Sequence, residues 1–125
     1  TLVIPGYNDS VDEIDAMLDW VITNLGPAVS HHFTAFMPMY HMQDVPRTPF
    51  STLDRIYRQA KAHGLYYPYI GNMPHAEGSK TICPECGTVL IDRNGFSSSE
   101  PGLEGGKCGA CGRKIEGVFS LQQVV

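Results

Sequence analysis

The apolar positions of the first seventy-odd residues switch between two periods. Leu2-Val3-Ile4 is a short unbroken apolar run stopped by Pro5-Gly6. A run apolar on both faces suits a parallel strand covered by helices. After the turn Tyr7-Asn8-Asp9, Ser10 reads as an N-cap, with Glu13 completing a capping box. Ile14, Leu18, Val21 and Leu25 then recur at helical spacing, and Met17 and Ile22 widen the stripe. Gly26-Pro27 ends that helix, because glycine accepts the left-handed cap and proline cannot continue. A second strand is predicted from His32 to Met37, stopped at Pro38, and a Met-rich loop follows to Arg47. The second helix is predicted to start with Thr48 as cap and Pro49 at its first position, with Leu53, Ile56, Tyr57 and Ala60 on one face. Gly64 ends it, and Leu65 to Ile70 reads as a third strand that Pro68 places at a sheet edge. The order βαβαβ predicts parallel strands joined by right-handed crossovers.

The pattern changes near residue 75. Residues 1–74 form the α/β part. Residues 75–125 are loop-rich, with strand candidates at Thr88 to Arg93 and Ile115 to Leu121 and a turn-forming stretch from Ser97 to Gly102. Fifty residues with so few large side chains need a staple. The four cysteines, Cys83, Cys86, Cys108 and Cys111, supply it. They form two C-x-x-C pairs, each followed by glycine, with twenty-one residues between them. That is the spacing of a zinc ribbon, in which two knuckles close a tetrahedron of thiolates and leave no open position for catalysis. Reduced thiols, two local disulfides and a rubredoxin-like iron site are the alternatives.

Composition narrows the function classes. The 125 residues are 42% apolar and 18% charged, a globular balance. Nine basic against thirteen acidic residues give a net charge of −4, which offers no bulk attraction to nucleic acid or anionic membranes. The cysteine-bearing part alone has six acidic and five basic residues, a balance of −1, against a nucleic-acid-binding ribbon. No apolar run approaches the ~20 residues that span a bilayer, and no signal peptide is visible. A thiolate metal site with no spare cysteine predicts a reducing, cytoplasmic setting. The chain begins at Thr1, directly in an apolar run, and reads as one entered part-way.

The remaining chemistry-bearing residues are weaker signals. His31 and His32 are adjacent, so on a strand they face opposite ways and read as ordinary polar residues. His63 suits the dipole of a helix C-terminus. His41 follows a strand end, where parallel α/β folds bind ligands. Met37, Met39 and Met42 with Phe36 and Tyr40 form an apolar group that is either core filler or a wall against a flat ring. The acidic start of the first helix is a dipole-favoured face. No nucleophilic triad, P-loop or dinucleotide-binding glycine pattern is present, and no catalytic residue is assigned.

The stretches TLVIPGYNDSVDEIDAMLDWV, HFTAFMPMYHMQDVPRTPFSTLDRIYRQAKAHGLYYPYIGN, TICPECGTVLIDRNGF and CGACGRKIEGVF together resemble the C-terminal part of radical SAM enzymes. The nearest are the pyruvate formate-lyase activating enzyme-like proteins of the AmmeMemoRadiSam group. The resemblance implies the last βαβαβ portion of a partial TIM-type barrel followed by a zinc ribbon. For the full-length family it implies S-adenosylmethionine and a 4Fe–4S cluster, whose C-x-x-x-C-x-x-C motif this chain lacks. It further implies that Ile4 and Gly6 at the end of one strand and Phe36 and Met37 at the end of the next contribute to the cofactor site, and His41 joins them on the strength of its own place beyond that strand end. Leu2 and Asp9 replace a Gly and a Glu of the family's strand motif. Such a chain is expected to be inactive alone and to partner a missing N-terminal barrel portion or itself, with a protein substrate in view. The alternative is a stand-alone zinc-ribbon interaction module on a small α/β scaffold.

Overall fold

The computed structural model describes residues 1–119 of the chain, which has a mixed α/β architecture of two helices and several small sheets. It divides into two compact units, Thr1–Ser79 and Lys80–Val125. The composition changes at residue 75, but residues 75–79 belong with the first unit. His75 explains why. Its buried ring lies against Phe50 and Tyr57, its Nε2 meets Asp54 Oδ1 at 3.0 Å, and its Nδ1 accepts from the Gly78 N–H at 2.8 Å. Because Nδ1 accepts, the ring's proton sits on Nε2 and is donated to the carboxylate.

The first unit runs β1 (Leu2–Val3), α1 (Val11–Leu25), β2 (Ser30–Ala35), α2 (Phe50–Ala62) and β3 (Tyr67–Gly71). The strands lie in the order β1-β2-β3, all parallel, with Val3 opposite Ala35 and Phe33 opposite Ile70. Those four residues share one sheet face. They form the core with Ile14, Leu18 and Val21 of α1 and Leu53, Ile56, Tyr57 and Ala60 of α2, so both helices pack on that face. No sheet closes into a barrel among the described residues.

Local chemistry sets the boundaries. Ser10 caps α1, its Oγ accepting from the Glu13 N–H at 3.2 Å, and Gly26 follows the last turn at φ 87°. The second helix differs from expectation. It begins at Phe50 with Pro49 as a cap that makes no side-chain hydrogen bond. Thr48 has a different task. Its buried hydroxyl accepts from the Phe36 N–H and donates to the Val3 carbonyl, both at 2.7 Å. It thereby ties the ends of two neighbouring strands. β2 starts at Ser30 and ends at Ala35, two residues before Met37, because the hydrogen bonds of Phe36 go to Thr48. β3 starts at Tyr67, leaving Leu65 as a buried core residue, and it lies at the end of the strand order, as Pro68 suggests.

His63 does more than face a helix dipole. Its two ring nitrogens meet Asp15 at 2.8 Å and Asp19 at 3.0 Å, joining α2 to α1. His31 contacts Thr1 Oγ1 at 2.9 Å and stacks on Phe33, while His32 stacks on Tyr69.

The second unit holds β4 (Thr81–Ile82), β5 (Val89–Asn94) and β6 (Ser97–Ser99) in one antiparallel sheet, and β7 (Leu103–Glu104) with β8 (Lys107–Cys108) in another. The serines expected in a turn form a strand instead, because Gly95-Phe96 makes a two-residue hairpin loop with Asn94 opposite Ser97. No strand runs from Ile115 through Phe119; Lys114, just before it, forms an isolated bridge with Lys107, and the Ile115 N–H donates to the Gly106 carbonyl at 2.9 Å. Leu121, the expected end of that strand, lies outside the described residues.

Two outcomes are expected. Thr48→Val leaves the buried Phe36 N–H without its acceptor and should lower stability by about 1–3 kcal/mol in chemical denaturation. An unchanged midpoint would contradict the strand-tie role. Asp54 is held below the usual carboxylate value chiefly by its hydrogen bond with His75, and then by Arg58. A depressed folded value means that its stabilisation is present above the unfolded carboxylate value and is lost as pH falls through the folded one. Asp54→Asn should therefore lose less stability than the parent on acidification below about pH 4, as read by thermal melts. Parallel pH curves would contradict this.

Candidate metal centre

The four sulfurs of Cys83, Cys86, Cys108 and Cys111 all lie within 4.8 Å of one another. Each C-x-x-C segment makes a tight turn with the same hydrogen bonds. The Gly87 N–H reaches the Cys83 carbonyl at 3.0 Å, and the Gly112 N–H reaches that of Cys108 at 2.8 Å. The Cys83 N–H donates to the Thr88 carbonyl and the Cys108 N–H to that of Arg113, both at 2.8 Å. Gly87 and Gly112 share φ 77°, a left-handed conformation that glycine adopts without a side-chain penalty. Two copies of one turn thus face each other across the sulfurs.

Across the knuckles Cys83 Sγ lies 3.7 Å from Cys111 Sγ, and Cys86 Sγ lies 3.5 Å from Cys108 Sγ. Sulfurs held tetrahedrally at about 2.3 Å from an ion stand about 3.8 Å apart. The spacing therefore fits a single tetrahedral metal ion. In each knuckle the first cysteine is buried and the second exposed.

The thiols are unequal without a cation. Hydrogen bonds from the Thr88 hydroxyl and backbone N–H bring Cys86 down to about 6. The backbone N–H groups of Cys111 and Ala110 hold Cys108 below an ordinary thiol. The Arg113 N–H pulls Cys111 the same way, but desolvation and the three neighbouring sulfurs outweigh it and push Cys111 up to about 12. Like charges packed this closely do not all form unless a cation neutralises them. Thr88, with Oγ1 3.1 Å from Cys86 Sγ, escaped the sequence reading. Its signal is its place two residues after the second cysteine of the first knuckle. The set can hold a metal; among the described residues no other group of three or more such side chains does so.

The residues assigned to a cofactor site lie at one edge of the parallel sheet. Ile4 and Gly6 follow β1. The Ile4 N–H donates to Asn8 Oδ1 at 2.7 Å, and the Gly6 N–H donates to Asp9 Oδ1 at 3.0 Å. Arg55 donates to the Asp9 carbonyl. Asn8 and Asp9 thus fix the turn that carries Gly6. Phe36 is buried and Met37 exposed beyond β2, and His41 lies farther along the loop with its ring 3.9 Å from that of Tyr40. Tyr40 and Asn72 have positive φ without being glycine, and both lie past carboxyl ends of strands. Tyr40, read in the sequence as one of an apolar group, is exposed, and no sequence signal marked its positive φ. Asn72, from the Gly71-Asn72 turn, donates to the Ala35 carbonyl at 3.2 Å.

No protein-family model and no solved structure matches the chain. It is 41% identical over 117 residues to the uncharacterized protein MJ0808 of Methanocaldococcus jannaschii, a match covering 92% of this chain and 35% of that protein. The chain thus spans about a third of the length of the curated relative it matches. No described helix is long and apolar enough to cross a membrane.

Cys83→Ser should remove a buried ligand from the centre. Elemental analysis of the parent should give one metal per chain and of the variant none. A structural metal can stabilise a small unit strongly; zinc in zinc-finger peptides contributes roughly 10–16 kcal/mol of apparent binding free energy at neutral pH. The variant's second unit should therefore unfold while the helical signal of the first persists. Equal metal content in the two proteins would contradict the assignment.

Proposed function

We propose that the chain is the C-terminal portion of a radical SAM enzyme resembling pyruvate formate-lyase activating enzymes, supplying part of the S-adenosylmethionine pocket and a structural zinc ribbon. The observation that carries this reading is the parallel sheet in sequential order with both helices on one face, the arrangement of consecutive units of a (β/α) barrel. The length of the relative supports it, since the match leaves most of that protein outside. We read the metal as zinc, the ion that two C-x-x-C knuckles of this spacing hold in structural ribbons, and as structural, because four thiolates leave no position for substrate.

The chain does not fit the family's iron–sulfur cluster. Its four cysteines stand together in the metal group, and C-x-x-x-C-x-x-C is absent. In this reading the cluster's ligands belong to another part of a longer protein, and no step is assigned to this chain through it. S-adenosylmethionine, when bound, supplies hydrogen-abstraction chemistry. The role of this chain is to hold its adenosine end. Ile4 and Phe36 give an apolar wall that excludes water, Gly6 admits a close backbone approach, and Met37 and His41 border solvent at the same edge. β1 pairs with β2 alone among the described residues, and the Asn8 amide covers part of its other edge, donating to the Leu2 carbonyl at 2.8 Å and accepting from the Ile4 N–H at 2.7 Å, so in this reading the remaining barrel or a second copy displaces Asn8 there. The division into two compact units favours one second reading, a zinc-ribbon interaction module carried on a small α/β scaffold.

A partial pocket binds weakly, with a dissociation constant on the order of millimolar. Millimolar S-adenosylmethionine should shift the amide resonances of Gly6, Met37 and His41, and reduced protein should form no 5′-deoxyadenosine from it. Resonance shifts confined to other residues would remove the cofactor role. Formation of 5′-deoxyadenosine would contradict the division of labour between this chain and the rest of the enzyme.

A further inference from the structure

The metal centre has an asymmetry that a purely inert staple does not require. Each knuckle contributes one buried and one exposed sulfur. Two cross-knuckle contacts join an exposed sulfur to a buried one, Cys86 to Cys108 at 3.5 Å and Cys111 to Cys83 at 3.7 Å, and the two exposed sulfurs, Cys86 and Cys111, also interact. An oxidant arriving from solvent therefore meets a sulfur that already has a protected partner on the opposite turn. We propose that the centre is a peroxide-responsive site, in which oxidation joins Cys86 to Cys108 and Cys83 to Cys111 and releases the metal. This rests on the reading of the four cysteines as zinc ligands.

The chemistry balances with a hydroperoxide as oxidant. The Cys86 thiolate attacks one peroxide oxygen, the O–O bond breaks, and hydroxide leaves, giving a sulfenic acid. The Cys108 thiolate then attacks that sulfur, the S–O bond breaks, and a second hydroxide leaves. Two thiolates lose two electrons in all, the peroxide gains them, and the two hydroxides take up protons to become water. Zinc keeps its charge throughout and departs because two of its four ligands have become a disulfide. The same sequence at Cys111 and Cys83 completes the change. The contact must shorten from 3.5 Å to about 2.05 Å. Each cross-knuckle bond ties the first hairpin to the second, so the oxidised unit stays linked where an in-knuckle bond would let the hairpins separate.

The geometry makes the connectivity testable in the parent protein. Trypsin releases Cys83 and Cys86 together on residues 81–93, and Cys108 and Cys111 together on residues 108–113. Cross-knuckle bonds join these two peptides; in-knuckle bonds leave them separate. Cleavage after Glu85 then parts Cys83 from Cys86, and backbone fragmentation between Gly109 and Ala110 in the mass spectrometer parts Cys108 from Cys111, so the two together resolve the pairing. The protein is first assayed for metal, then titrated with hydrogen peroxide while a chromophoric chelator reads free zinc and mass spectrometry maps the peptides. The expected result is loss of the one zinc per chain in step with the appearance of the joined peptide, paired Cys86–Cys108, and reversal of both by thiol reductant plus zinc. Separate peptides with in-knuckle bonds, sulfonic acids without disulfides, or zinc retained at peroxide levels that oxidise a free thiol would each overturn the proposal. Absence of metal at the outset would instead overturn the zinc reading, and peptide mapping of that reduced protein would still decide the pairing.

Discussion

Four sulfurs confined to one small volume are a liability unless a cation sits among them. The second unit accepts that liability because it has little else. Its buried apolar side chains among the described residues are Leu90, Ile115 and two of the cysteines themselves, Cys83 and Cys108. Burying an aliphatic side chain is worth about 1.5–3 kcal/mol. Two of them cannot order several short hairpins. A metal held by four thiolates can, and the rest of the unit is shaped to present those thiolates. The left-handed glycines turn the chain back, and the knuckle amides point at sulfur. Thr88 adds a hydroxyl to Cys86.

The first unit follows the opposite rule. Its stability comes from a continuous apolar face shared by two helices and three strands, with polar groups used as ties where strands end. Thr48 joins the ends of β1 and β2, Asn72 joins β3 to β2, and Asn8 and Asp9 lock the turn after β1. All of these lie at the carboxyl edge of the sheet, where a parallel α/β fold builds its ligand sites.

Periodicity revealed the elements better than their ends. The apolar stripes of α1 and α2 and the parallel order of the strands were legible, because burial on one face imposes its spacing directly on the sequence. Ser10 and Gly26 were legible too, since their roles depend on neighbours a few residues away. Thr48 was misread for the converse reason. A threonine before proline looks like a helix cap, and only the approach of Val3, forty-five residues earlier, makes its hydroxyl a strand tie. The serines of β6 look like a turn until the Gly95-Phe96 loop pairs them with β5. The four cysteines that the structure brings together were legible from spacing alone, whereas the buried and exposed halves of each knuckle and the cross-knuckle contacts emerge only from three-dimensional packing.

The account stands most directly on the coordination of that metal. X-ray absorption at the edge of the bound metal, zinc in the reading proposed above, should show a single shell of four sulfurs at about 2.3 Å. A shell containing nitrogen or oxygen, or a sulfur count of two, would mean that the two knuckles do not close on one ion and would contradict the account.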